Sequence, residues 1–296
     1  MADLVLERAL HEALGAAGGS PPPHLAEALA YAVFPGGGRV RPRLCLEVAR
    51  ACGTADELAY AAACSVELLH CASLVHDDLP CFDAGAMRRG KPSVHRAFGE
   101  ATAVLVGDGL MVQAFYTLGR AVALRPEVGV YPVLALLEAA GPRVGLVAGQ
   151  AWELEKQVDL AAYHRGKTAS LFEVSAALGA LANGAAPSPF VTFGRAFGMA
   201  YQLADDVADA LADASSLGKP TGKDRELGRP TAMRDVPSAD VAIERMVAAA
   251  RAATEAVPSC PGEADLRRFV DAVFNALVAR CLHARAEEPD RAKLSA

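Results

Sequence analysis

One stretch constrains the fold more than any other. Residues 56–78 are apolar on almost every face of a helix, and the run ends in two adjacent carboxylates, Asp77 and Asp78. A helix that is apolar all round is buried, so this one belongs in the middle of a bundle. Its acidic end faces the negative pole of the helix macrodipole, an unfavourable interaction of roughly 0.3–1 kcal/mol per exposed charge. Pro80 forces the chain out of the helix. A third carboxylate, Asp83, follows, and then the adjacent Arg88 and Arg89. Hard carboxylate oxygens beside guanidinium forks suit a divalent cation and a phosphate group. A solvated acidic helix end followed by a basic turn is the plainer reading of this stretch taken alone.

The remainder of the chain also reads as helix. Alanine dominates an apolar content of 52%, aromatic residues are 6%, and no alternating strand pattern runs for more than a few residues. Helices are expected over 2–15, 24–34, from Arg39 to near Cys52, and over 100–124. A loop and a short helix cover 80–98. Further helices are expected near 126–140, 143–161, 163–183 and 190–213, with two or three more over 231–287. No period of 20–50 residues repeats, which excludes a solenoid. The expected architecture is all-α: residues 1–296 as a single domain, a bundle of ten or more helices around a central apolar cavity. Residues 1–20 form an N-terminal helix and linker, and 288–296 a mobile polar tail.

Composition narrows the function. A net charge of −6 without any basic run argues against nucleic acid. Mean hydropathy is high, +0.21, but charged residues interrupt every long apolar run, so no membrane span is expected. Charges in the first ten residues leave no room for the apolar core of a signal peptide, and the cytoplasm is the expected location. Seven cysteines without Cys-x-x-Cys spacing read mainly as small buried residues. Cys81, beside the acidic stretch, has no matching base that would make it a nucleophile.

A second acidic group sits in Tyr201-Gln-Leu-Ala-Asp-Asp-Val-Ala-Asp209. Asp205 and Asp209 are four residues apart and share a helix face, with Asp206 adjacent. Apolar neighbours imply that this face points inward, where carboxylates need partners. The loop after it carries Lys219, Lys223 and Arg229. Two acidic clusters on two apolar helices, each followed by basic residues, point to a cavity in which Mg²⁺ bridges carboxylates to a diphosphate.

These motifs, in this order, resemble the trans-isoprenyl diphosphate synthases (polyprenyl synthetases), in particular the bacterial geranylgeranyl and farnesyl diphosphate synthases of the carotenoid-pathway type. Asp77-Asp-Leu-Pro-Cys-Phe-Asp83 is similar to the first aspartate-rich motif in its longer form, Asp205-Asp-x-x-Asp209 to the second, and Gly36-Gly-Gly-Arg-Val-Arg-Pro42 to Gly-Gly-Lys-Arg-x-Arg-Pro. The resemblance implies the isoprenoid synthase fold, a homodimer, and head-to-tail prenyl transfer from dimethylallyl, geranyl or farnesyl diphosphate to isopentenyl diphosphate. It implies Mg²⁺, three ions in number with Mn²⁺ as a substitute, on Asp77, Asp78, Asp83, Asp205, Asp206 and Asp209. It assigns the allylic diphosphate to Arg88, Lys167, Thr168, Gln202, Lys219 and Arg229, and isopentenyl diphosphate to Arg41, His70 and Arg89. No protein nucleophile or general base is required.

The chain departs from the family pattern at a few positions. Gly38 replaces a lysine, leaving Arg39 and Arg41 as cations. Ala84-Gly85-Ala86 replaces residues that are often acidic, Glu153 stands where an aspartate is usual, and Arg229 replaces a lysine. Ala72 lies five residues before Asp77, about 7.5 Å down the helix. An aromatic residue there accompanies farnesyl products, so alanine implies the C20 geranylgeranyl product. Phe115 or Tyr116 would close the cavity earlier and give the C15 alternative. The missing lysine and the neutral 84–86 run motivate a further alternative, an inactive regulatory subunit of a heteromeric synthase. A class I terpene cyclase would share the helical fold but lack Lys167-Thr168 and the glycine-rich stretch.

Overall fold

A computed structural model describes residues 2–15, 19–34, 36–215 and 238–286. The side chains of Asp209, Lys219 and Arg229, the basic loop residue Lys223 and the tail 288–296 lie outside the described residues.

The architecture is an all-α bundle. Its helices are α1 (Ala2–Gly15), α2 (Pro23–Val33), α3 (Val40–Cys52), α4 (Glu57–Asp77), α5 (Val94–Phe98), α6 (Glu100–Ala123), α7 (Tyr131–Ala140), α8 (Leu146–Trp152), α9 (Leu160–His164), α10 (Ser170–Leu181), α11 (Pro187–Ser215), α12 (Ala239–Glu255) and α13 (Glu263–Ala286). As its apolar circumference requires, α4 is central and packs against α1, α2, α3, α6 and α10. Asp56 starts it as an N-cap, accepting from Ala59 N at 3.0 Å.

Two apolar cores meet at α3 and α10. Cys45, Leu46 and Ala49 of α3, with Leu171, Val174 and Leu178 of α10, face the core around α4 and α6. Leu44, Val48 and Ala51, with Phe172, Ala176 and Ala180, face the core formed with α11, α12 and α13. Each helix therefore carries two apolar stripes and acts as a partition between the halves.

The structure corrects the expected elements at three places. The run 143–161 is not one helix: α8 ends at Trp152, and Asp159 caps a new one, α9, accepting from Ala161 N at 3.0 Å and Ala162 N at 3.1 Å. Between α9 and α10, Arg165–Ala169 form a π-helical turn. The segment 80–98 contains a two-stranded hairpin, β1 (Met87–Arg88) and β2 (Lys91–Pro92), in antiparallel register with Arg88 opposite Lys91. Its tight turn is Arg89-Gly90, with φ of 52° and 78°. Positive φ at both turn positions matches the right-handed twist of a hairpin, but arginine at the first of them disguised the turn in the sequence.

Candidate active site

The end of α4 holds the first acidic group. Asp77 and Asp78 are both buried, at 6% and 3% exposure, so each needs a partner within the fold. Asp78 receives a bidentate pair from Arg88, with Nε to Oδ2 at 2.9 Å and Nη2 to Oδ1 at 2.6 Å. Burial opposes the charge on Arg88, but the hydrogen bond and charge of Asp78, with Asp77 behind it, raise its pKa overall. Asp77 Oδ1 accepts from Gln150 Nε2 at 3.0 Å, and Gln150 also donates to Ser73 O at 3.1 Å. Asp83 folds back so that its backbone N–H reaches Asp77 O at 2.9 Å. The neutral 84–86 run also has a structural role. A Cβ at Gly85 would lie 2.4 Å from Asp78 Oδ1, so a larger residue would push that carboxylate off Arg88.

The hairpin projects the basic residues. Lys91 holds it down, donating to Tyr31 O at 2.5 Å and Phe34 O at 2.6 Å at the end of α2. Beside it, Arg89 Nη2 lies 3.9 Å from Glu67 Oε1. Arg41, in the first turn of α3, stacks its guanidinium 4.6 Å from the centre of the Phe172 ring and 5.9 Å from that of Tyr201. Its buried Nε has no hydrogen-bond partner. Burial lowers the Arg41 pKa, and the nearby charges of Tyr201, Glu67 and Asp205 only partly counter this. His70 is driven well below its ordinary range by burial and by the charges of Arg41, Arg89, Arg88 and Arg39. Arg41, His70, Arg88 and Arg89 thus form one electropositive group around a neutral imidazole.

Arg39 does not belong to that group's anion-facing side. It lies buried in the left-handed conformation, φ 48°. Its guanidinium is spent on Glu67 at 2.5 Å, Glu7 at 2.8 Å and Val33 O at 2.9 Å. Burial disfavours its charge, yet the bonds to Glu7 and Glu67 raise the pKa overall. Of the two cations expected to remain beside Gly38, Arg39 and Arg41, the first is therefore corrected: inward-facing carboxylates hold Arg39 as a structural cation.

The second wall comes from α8, the π turn and α11. The backbone of α8 touches the turn directly, since a Cβ on Gly149 would lie 2.2 Å from Lys167 N. π turns recur at functional sites because they re-aim side chains, and this one presents Lys167 and Thr168. Lys167 pairs with Glu153, which also accepts from Tyr163 OH at 2.8 Å. Thr168 donates to Gln202 Oε1, and Gln202 Nε2 to Asp206 Oδ1 at 2.8 Å. The structure thereby joins three of the expected residues, Thr168, Gln202 and Asp206, in one chain. Asp205 lies close enough to act on the charge of Arg41.

Profile comparison matches residues 22–240 to the polyprenyl synthetase family. The chain belongs to that family. It is 46% identical over 286 residues to the geranylgeranyl diphosphate synthase of Cereibacter sphaeroides, covering 93% of this chain and 99% of the relative. Among solved structures it is similar to an FPP/GFPP synthase of Zymomonas mobilis, with a TM-score of 0.77 and 30% identity over 92% of this chain and 95% of that one. It is also similar to a Helicobacter pylori geranyltransferase complexed with magnesium and isoprenyl diphosphate, with a TM-score of 0.71 and 26% identity over 92% and 96% of the two chains.

The donor set of this polyprenyl synthetase, carboxylate oxygens throughout, fits a hard cation. Among the described residues no three His, Cys, Asp or Glu side chains are gathered closely enough to hold one, because Asp78 is turned onto Arg88 and Asp206 onto Gln202. Ala72 is buried at 1% exposure, Phe115 packs against the α4 core, and Tyr116 is 40% exposed, so of the two aromatic candidates only Phe115 faces inward. Two participants were missed in the sequence: Glu67, which pairs with Arg39 and Arg89, and Gln150, which holds Asp77. Glu67 alone carried a signal, as an ionisable residue within an otherwise apolar helical run.

Proposed function

We propose that this prenyltransferase condenses isopentenyl diphosphate head to tail with an allylic diphosphate, with geranylgeranyl diphosphate as its C20 product. The observation that carries the reading is the pairing of two walls. One is the cationic group Arg41, His70, Arg88 and Arg89. The other is Lys167 with the Thr168–Gln202–Asp206 chain. A site with one diphosphate on each wall brings two such substrates together and lowers the entropic barrier to their reaction.

Lys167, Thr168, Gln202 and Arg88, with Lys219 and Arg229, would grip the allylic diphosphate. Arg41, His70 and Arg89 would hold isopentenyl diphosphate. A neutral His70 can donate a hydrogen bond without adding to the repulsion among the arginines. In the reaction the allylic carbon–oxygen bond breaks and its electron pair leaves with pyrophosphate. The isopentenyl double bond attacks the allylic carbon, and a proton passes to the released pyrophosphate. Cations stabilise the charge on the leaving group, the dominant form of catalysis at such a site. Asp77, Asp78, Asp83, Asp205, Asp206 and Asp209 would hold Mg²⁺, three ions with Mn²⁺ as a substitute, and Asp78 would have to leave Arg88 to do so. Bound Mg²⁺ supplies Lewis-acid neutralisation of the diphosphate oxygens.

Ala72 supports the C20 product, because it adds no bulk beneath the acids, and the Cereibacter relative bears the same product in its name. We also read the enzyme as a single-domain, cytoplasmic homodimer of the carotenoid-pathway type. By length and composition α4 and α6 could each cross a membrane, but 72% of the apolar window of α4 is buried in the bundle. Exposed Leu105 and Val112 on α6, with Leu134 and Leu137 on α7, suit a subunit interface better. Incubating purified protein with farnesyl diphosphate, isopentenyl diphosphate and Mg²⁺ tests the proposal. It expects a C20 diphosphate. Arrest at C15 would overturn the product, cyclic hydrocarbons would indicate a cyclase, and no turnover would favour the inactive-subunit reading.

A further inference from the structure

The cationic wall raises a physical problem, because the charges of its three arginines, with Arg39 behind them, all act on His70. Their mutual repulsion opposes any fixed arrangement, and two of them, Arg39 and Arg89, also hold the left-handed conformation. Between two of them, Arg39 and Arg89, lies a buried carboxylate, Glu67, 1% exposed on the central helix. It ion-pairs with Arg39 at 2.5 Å and with Arg89 at 3.9 Å. The Cys71 thiol donates to the same oxygen, Oε1, at 3.8 Å. The charge of Glu67 is also felt at Arg41, where it favours the guanidinium against burial.

We infer that Glu67 is a positioning residue for isopentenyl diphosphate, the buried counter-charge that holds Arg89 in place to receive that substrate. Arg39 has a different role. With Glu7 and Val33 O as its other partners, it locks the carboxylate from behind and keeps it aimed at the wall. The close approach of the glycine-rich stretch fits this design. A Cβ on Gly36 would lie 2.2 Å from the Arg39 guanidinium carbon, and one on Gly37 would lie 3.1 Å from Arg89 Nε. The two glycines leave room for the two arginines that Glu67 organises.

The inference rests on the proposed prenyl transfer and predicts a split in kinetic constants. Glu67→Gln keeps the shape and removes the charge. It should raise KM for isopentenyl diphosphate tenfold or more, while KM for farnesyl diphosphate stays within threefold of wild type. Glu67→Asp restores the charge on a shorter arm and should recover part of the loss. Glu47→Gln removes an acid that pairs with Arg50 on α3, outside this group, and should leave both KM values unchanged. Circular dichroism checks each fold. If Glu67→Gln does not fold, Glu67→Asp decides, with a several-fold rise confined to isopentenyl diphosphate as the supporting result. Equal rises in both KM values, or an equal effect from Glu47→Gln, would overturn the inference. An inactive wild-type enzyme would instead overturn prenyl transfer itself.

Discussion

Gly149→Ala tests the way α8 positions the second wall. The added Cβ would meet Lys167 N at 2.2 Å, and both Gly166 C and Lys167 Cα at 2.6 Å. These are backbone atoms, so no side chain can swing aside. Ordinary contact begins near 3.4 Å, so the helix and the π turn must part by about 1.2 Å, the difference between 3.4 and 2.2. Overpacking of this kind costs about 1–3 kcal/mol, offset by the roughly 0.5–1 kcal/mol that alanine gains over glycine within a helix. Gly119→Ala on α6 is the matched control, since nothing lies within 4 Å of its added Cβ; it should stabilise by that same ~0.5–1 kcal/mol. Urea unfolding should therefore separate the two variants by at least about 1 kcal/mol. A displacement near 1 Å at Lys167 and Thr168 should also lower kcat/KM for the allylic substrate by up to roughly a hundredfold. Equal stability of the two variants, or a Gly149→Ala enzyme within threefold of wild-type kcat/KM, would refute the backbone-contact reasoning.

Ala72→Tyr should shift the product from C20 to C15, read by chromatography of the dephosphorylated alcohols; unchanged C20 output would remove Ala72 as the gauge. At Gly38 an added Cβ meets only Val40 Cγ2, at 3.5 Å, so Gly38→Lys has space for the cation the family usually carries. It should lower KM for isopentenyl diphosphate roughly threefold to tenfold, a gain of up to about 1.4 kcal/mol, with KM for the allylic substrate unchanged. The depressed pKa of His70 sets an acid dependence. Above the ordinary value of 6.5 the imidazole is neutral both folded and unfolded and contributes no slope. Below it the unfolded chain takes up a proton that the folded protein resists. Stability should then fall by up to about 1.4 kcal/mol per pH unit for that site, and His70→Gln should flatten urea midpoints measured between pH 6.5 and 5.

Fold class and motif positions were legible in the sequence because they depend on local regularities. Apolar residues around the whole of 56–78 require a central helix whatever packs against it. The four-residue spacing from Asp205 to Asp209, and Pro80 after the acidic pair, likewise need no distant partner to interpret. The hairpin was less legible, since its turn carries Arg89 where asparagine or aspartate is the usual sign. The break at Asp159 was available as an N-cap signal, but an otherwise helical composition concealed it.

Only the tertiary structure decided which charge meets which. Gln150 reaches Asp77 across 73 residues, Thr168 reaches Gln202 across 34, and Arg39 reaches Glu67 across 28. Charge pairing has no period that a sequence can display, and an arginine in a motif looks the same whether it faces a substrate or a buried carboxylate. The sequence by itself therefore determined an all-α polyprenyl synthetase with acids on two apolar helices. Packing decided that Arg39 turns inward, that Asp78 rests on Arg88, and that Glu67 lies between Arg39 and Arg89. Burial makes each of these pairings obligatory, because a desolvated charge must find a partner wherever the fold supplies one.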